Sequence, residues 1–137
     1  YYPVSIKDLN KTDRRESGYC RVKVEGKDLS FYGKKIKTKN KNFWVYAANP
    51  GKIKKPTNSH PIVQSYVDLF IGGCFQIKER YKINEFPKQC VETTTEWSKH
   101  WVNDRVHARR PFLVPNFYKI DKLLSNYFDY YLENKYQ

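Results

Sequence analysis

The stretch Thr12-Asp13-Arg14-Arg15-Glu16-Ser17-Gly18-Tyr19-Cys20-Arg21-Val22-Lys23-Val24 holds the transition on which the fold reading turns. Its first part is charged and polar and ends at Gly18, which on its own reads as a turn. From Tyr19 the residues alternate through Cys20, Arg21, Val22, Lys23 and Val24, and alternation predicts a strand. Upstream, Tyr1 to Val4 resembles the end of a strand. Ser5 to Leu9 then predicts a short helical turn, capped by Ser5, with Asp8 at the third helical position.

Downstream, Glu25-Gly26-Lys27-Asp28 predicts a turn, and Ser30 to Ile36 a short extended piece. Asn42-Phe43-Trp44-Val45-Tyr46-Ala47-Ala48 puts aromatic and β-branched residues in a row and predicts a second strand, stopped by Asn49-Pro50-Gly51. Residues 52–59 form a basic, proline-containing loop. A helix is expected to open at Ser59 or His60, with Pro61 in its first turn. Ile62, Tyr66, Leu69, Phe70 and Gly73 keep helical spacing, and Gly72-Gly73 reads as its end. A further helix is expected from Asn84 to Thr94, with Pro87 tolerated near its start. Trp97, Trp101 and Pro111 fall in a long irregular stretch. A last helix from Asn116 to Asn134 carries Ile120, Leu124, Tyr127 and Tyr131 on one stripe, flanked by Leu123, Phe128 and Leu132. Such a stripe ordinarily packs on its own domain; the alternative is that Tyr127 and Tyr131 dock a partner. There is no internal repeat.

The chain has 137 residues, a length that suits one domain. An aromatic share of 17% supplies enough bulk for a core and argues against wholesale disorder. No stretch approaches the ~18–20 apolar residues of a membrane span. No Met occurs and the chain opens on Tyr1-Tyr2-Pro3, so it reads as an excerpt of a longer protein.

The formal net charge is +12, and +10 of it belongs to residues 1–60. The densest run is Lys34, Lys35, Lys37, Lys39 and Lys41. A positive face attracts nucleic acid, acidic lipid or an acidic protein, although a lysine run is usually just a solvated loop. Lysines outnumber arginines 19 to 7, which disfavours bidentate base reading. Cys20, Cys74 and Cys90 are odd in number and widely spaced, which argues against a disulfide framework and for a reducing, intracellular compartment. His60, His100 and His107 lack zinc-finger spacing with them, so no metal site is assigned. His100 and His107 read as surface residues.

The order of these pieces carries more than any one of them. A helical turn leads into Asp-Arg-Arg-Glu, then a Tyr-x-Arg-Val-x-Val strand. A Trp-Val-Tyr-Ala strand ending at Asn-Pro follows, and then a Pro-led helix carrying a buried tyrosine, Tyr66. The set resembles the γ-glutamylcyclotransferase-like family, whose corresponding element reads approximately Leu-Asp-x-x-Glu-Gly before a Tyr-x-x-Val-x-Val strand. Residues 1–95 match in order and spacing, and residues 96–137 look like an extension ending in a helix. The implied fold class is α+β: part of a mixed β-barrel of that family's type, with flanking helices and a C-terminal amphipathic helix.

The resemblance implies that Glu16 is a general acid/base. The substrate's α-amine attacks its own γ-carbonyl, a five-membered lactam closes, and 5-oxoproline leaves with the released amine. One proton must leave the attacking ammonium and one must reach the departing amine. A single carboxyl held partly out of water can perform both transfers. Ring closure is intramolecular, so holding the substrate folded supplies much of the rate. The reaction needs no cofactor, and the substrate is an anionic γ-glutamyl small molecule. Arg14, Arg15, Arg21 and Tyr66 are the candidate substrate-binding residues.

The family's other essential part is a strand followed by a Tyr-Gly-Ser/Asn-Leu-type loop, whose N–H groups cradle the substrate carboxylate and the developing oxyanion. It precedes the acidic element in the family, and no counterpart stands before Glu16 in this sequence. Phe31-Tyr32-Gly33-Lys34 has a Tyr-Gly pair on the wrong side of Glu16 and leads into lysines. The residues given are therefore expected to be inactive alone. Two other functions compete. One is a non-catalytic relative serving as a structural subunit of a large assembly, with an acidic protein at the lysine run. The other is a basic module in which Phe43, Trp44 and Tyr46 stack on RNA or single-stranded DNA bases. Consecutive aromatics point to opposite faces of a strand, so only some of them can stack.

Overall fold

A computed structural model describes residues 4–32, 37–109, 115 and 117–133. The class is α+β, and the chain divides into two compact units, Tyr1–Lys54 and Lys55–Gln137. Residues on both sides of position 95 belong to the second unit's core. Among the described residues there are two sheets, each of two strands, and neither closes into a barrel. No described helix is long and apolar enough to cross a membrane.

The first unit begins with helix α1, Ile6–Arg15. Ser5 caps it as expected, its Oγ accepting from the Asp8 amide at 3.1 Å. The helix is longer than the single turn expected: Thr12-Asp13-Arg14-Arg15 is its last turn rather than a free turn. Charged residues suit an exposed helix, and two arginines at its C-terminal end complement the dipole there. Strand β1, Tyr19–Val24, follows and pairs antiparallel with β2, Phe43–Ala48, placing Val22 opposite Val45 and Arg21 opposite Tyr46. Both strands fall where alternation and β-propensity put them.

That register sorts the side chains by face. Cys20, Val22, Val24, Phe43, Val45 and Ala47 share one side; Tyr19, Arg21, Lys23, Trp44, Tyr46 and Ala48 share the other. Helix α1 attaches to the second, more polar side through Asp13, which bonds Arg21 and Tyr46. On the apolar side Val22 is 44% and Val45 48% exposed. Gly26–Asp28 makes a 3-10 turn, while Ser30 to Tyr32 form no strand. The rest of that expected extended piece, residues 33–36, lies outside the described residues, as do residues 1–3. Asn49 caps a second 3-10 turn, Pro50–Lys52, which ends β2 as expected.

The second unit holds the core. Helix α2 spans Gln64–Tyr81, and the short strand β3, Ile62–Val63, precedes it. Pro61 therefore leads into a strand and does not open the helix. Nor does Gly72-Gly73 end it; the helix runs on to a left-handed cap at Lys82, φ 58°. Burial of Val67, Ile71 and Cys74 outweighs the two glycines, which cost about 1 kcal/mol each relative to alanine. Helix α3, Phe86–Thr93, carries Pro87 in its first turn as expected and packs along α2. Trp101–Val102 forms β4, parallel to β3, inside the stretch expected to be irregular. The expected last helix is two: α4, Phe117–Ser125, and α5, Tyr130–Glu133. The break lets Tyr131 turn into the core beside Trp101, Ile120 and Leu124. Pro111, Asn116 and Asn134 lie outside the described residues.

Candidate functional site

Glu16 sits where α1 hands over to β1. Its amide donates to the Thr12 carbonyl at 2.8 Å, closing the helix, and its carbonyl accepts from Tyr19 at 2.8 Å, opening the strand. Both ends of its backbone are therefore held. Its side chain is 28% exposed, and Oε1 accepts from Arg15 Nε at 3.0 Å. One helical turn earlier, Asp13 accepts from Arg21 Nη1 at 2.9 Å through Oδ2, and from the Tyr46 hydroxyl through Oδ1. The Arg21 guanidinium also lies 4.8 Å over the Trp44 ring. Partial burial, reinforced by the Asp13 carboxylate, holds the Tyr46 phenol above its ordinary value. Asp13, Arg21 and Tyr46 thus pin the C-terminal end of α1 to the sheet, and Glu16 rides on that joint.

Three of the candidate substrate residues stand near one another in the first unit: Arg15 on Glu16, Arg21 on Asp13, and Arg14 exposed in the last turn of α1. Tyr66 belongs to the second unit and is not buried as expected: it is 47% exposed on α2, whose buried face carries Val67 and Ile71 instead. Lys37, Lys39 and Lys41 are exposed, whereas Lys34 and Lys35 lie outside the described residues. Trp44 and Tyr46 share the face that holds Arg21, and Phe43 points to the opposite one. Tyr127 donates to Glu92 Oε1 at 3.0 Å, and Tyr131 is 3% exposed, within its own unit's core.

Sequence reading gave Asp13 no role of its own and Tyr46 only a part in base stacking. A helix extended to Arg15 would have put Asp13 one turn before Glu16, and the strand register would then have set Tyr46 beside Arg21. It also missed a polar cluster in the second unit. Arg105 reaches Asp68 with Nε and Nη2, both at 2.7 Å, and Asp121 with Nη1 at 3.1 Å and Nη2 at 2.7 Å. Gln64 Nε2 donates to Asp68 at 2.8 Å, Trp101 Nε1 to Gln64 Oε1 at 2.9 Å, and the Tyr131 hydroxyl to Asp121 at 2.7 Å. Beside it, Asp104 accepts from the Ser65 amide and hydroxyl at 2.8 and 2.7 Å, and from the Arg109 amide at 2.8 Å. Burial works against the charge of Asp104, but those donors prevail and hold its carboxyl below its ordinary range. Burial likewise opposes the Arg105 charge, and the two carboxylates more than restore it.

That cluster is saturated. Among the described residues no buried side-chain nitrogen or oxygen lacks a partner, as buried polar groups require. A hollow of about 170 Å³ in the second unit, lined by Phe75, Gln76 and Ile120 among others, is bridged by Lys119 and Glu79 at 3.8 Å. It is smaller than the ~300–1,000 Å³ of ordinary ligand pockets. No protein-family model, curated protein or solved structure matches the chain.

Proposed function

We propose that the chain is a γ-glutamylcyclotransferase-like protein and that Glu16 is its general acid/base, releasing 5-oxoproline from an anionic γ-glutamyl substrate. On this reading β1 and β2 are two strands of that family's mixed barrel. The observation carrying it is the placement of Glu16: a carboxylate 28% exposed, its backbone fixed at both ends, at a helix–strand joint locked by Asp13, Arg21 and Tyr46. Partial shielding and a fixed position are what a group that alternately takes and returns a proton needs. Arg14, Arg15 and Arg21 give the surroundings the sign that suits an anionic substrate.

The test is 5-oxoproline release by the natural full-length polypeptide from glutathione and γ-glutamyl amino acids. Glu16→Gln keeps the shape and removes the proton transfer, so the rate is expected to fall by about 10²–10⁴-fold. Equal rates in both would end the assignment of Glu16.

A second reading, a non-catalytic structural subunit, has one observation in its favour. The side of the β1–β2 ribbon formed by Cys20, Val22, Val24, Phe43, Val45 and Ala47 is apolar, with both central valines well exposed. Lys23, Lys27, Lys37, Lys39 and Lys41 are exposed in the same unit, so its chemistry suits an acidic protein partner. This reading expects no 5-oxoproline from the natural protein. It also expects a salt-sensitive complex that Val22→Lys disrupts; a complex indifferent to both salt and V22K would refute it.

A further inference from the structure

Of the aromatic run Phe43, Trp44 and Tyr46, only Trp44 presents an open ring. Phe43 lies on the apolar side of the β1–β2 ribbon, and Tyr46 is half-buried with its hydroxyl on Asp13. Trp44 is on the polar side and 40% exposed. Its ring is also held. The Arg21 guanidinium lies 4.8 Å from the ring centre, where a cation is attracted to the indole face, and Asp13 grips that guanidinium at 2.9 Å. Asp13 thus anchors Arg21, and Arg21 in turn holds the indole, so the ring needs little ordering before another flat group lies on it.

Positive charge gathers at the same end of the ribbon. Lys23 stands directly opposite Trp44. The turn that enters β2 lies against the turn that leaves β1: the Lys41 amide donates to the Thr38 carbonyl at 3.1 Å, and a Cβ built on Gly26 would meet the Thr38 side chain at 3.0 Å. Lys37, Lys39 and Lys41 are thereby brought to the end of the ribbon where Trp44 stands, and all three are exposed. Residues 22–44 carry seven lysines against two carboxylates, Glu25 and Asp28. Glu25 meets Lys23 at 3.6 Å, but an exposed pair of this kind is weak and yields to a phosphate.

We propose that this end of the ribbon binds single-stranded nucleic acid, with one base stacked on Trp44 and the lysines on the phosphates beside it. Ring and charge together select the ligand. An acidic protein satisfies the lysines alone, and a duplex keeps its bases stacked on one another, out of the indole's reach. A single strand offers phosphates and free base faces side by side. Lysine reads charge rather than base edges, so the binding tolerates any sequence and either sugar. It requires nothing of Glu16, and it occupies the side of the ribbon opposite Val22 and Val45.

The experiment follows the fluorescence anisotropy of labelled uridine and thymidine oligomers of about 12 nucleotides with the natural full-length protein over a series of salt concentrations. Both oligomers are expected to bind, more tightly than a duplex of equal length or inorganic polyphosphate. Trp44→Ala should weaken binding about 10-fold at every salt concentration, and Trp44→Phe, which keeps a ring, should weaken it less. Changing Lys37, Lys39 and Lys41 together to Gln should instead lower the slope of log affinity against log salt by about two in magnitude, as three lost phosphate contacts require. Ultraviolet cross-linking of the wild-type protein to the uridine oligomer needs no variant, and the modified peptide should contain Trp44. Absence of binding at low salt would overturn the proposal. So would an affinity unchanged by Trp44→Ala, equal or tighter binding of the duplex or the polyphosphate, or cross-links confined to the second unit.

Discussion

Arg105 shows how much of the second unit hangs on one side chain. It is 18% exposed, and it holds two carboxylates that are 7% and 6% exposed, each by two hydrogen bonds. Its ring contact with Phe117 at 4.8 Å closes the remaining face. Through Asp68, Asp121 and Tyr131 it links α2, α4 and α5 to the 3-10 turn Arg105–His107. Arg105→Met keeps the bulk and removes the charge, leaving Asp68 and Asp121 to face each other out of water. Breaking a buried pair in this way costs about 3–5 kcal/mol. The check is urea unfolding: the midpoint should fall with little change in slope. Arg105→Lys should recover only part of the loss, because an ammonium has three N–H donors and no planar fork to replace the four hydrogen bonds of the guanidinium. None of this was legible in the sequence. Asp68 and Asp121 lie 37 and 16 residues from Arg105, and an Asn-Asp-Arg run looks like any polar loop. The immediate surroundings of Glu16 are local by contrast: its partners Thr12, Arg15 and Tyr19 are its neighbours in the chain.

At the scale of elements, legibility tracked how far each element's stability is local. The alternation of Tyr19–Val24 and the aromatic run at Phe43–Ala48 encode their own strands, and both lie where expected. Trp101–Val102 is two residues long, too short for any periodicity, and is a strand only because Ile62–Val63 lies beside it. Gly72-Gly73 marks a stop by local rules, yet α2 passes through because its flanks are buried. That conflict makes Gly73 informative. A Cβ built there meets nothing within 4 Å, and its φ is not positive. Gly73→Ala therefore removes backbone freedom from the unfolded chain without a clash, and should stabilise the protein by about 0.5–1 kcal/mol. Thermal unfolding followed by circular dichroism reads this as a higher midpoint. A lower one would mean that α2 needs the glycine for close packing.

For the whole molecule the decisive contrast is between its units. Val67, Ile71, Val91, Trp101, Ile120, Leu124 and Tyr131 form one buried cluster, all in the second unit. Among the described residues of the first unit none is fully buried, and they form one exposed helix, one two-stranded ribbon and two 3-10 turns. A lone two-stranded ribbon is marginally stable in water. The charge is divided the same way, since +9 of the +12 lies in the first unit, residues 1–54, and crowded like charges weaken a compact state further. The carboxylate proposed to do chemistry thus sits in the less stable unit, in keeping with the tendency of binding segments to come from the low-stability end of a fold. Native-state hydrogen exchange measures this directly. Amides of Ile71, Val91 and Leu124 should exchange slowest, near the rate set by global unfolding. Those of Val22, Val45 and Tyr46 should exchange faster by about two orders of magnitude, through local opening of the ribbon. Equal protection in the two units would mean that the ribbon opens only when the whole chain unfolds, and that the apolar face of Val22 and Val45 is covered in solution.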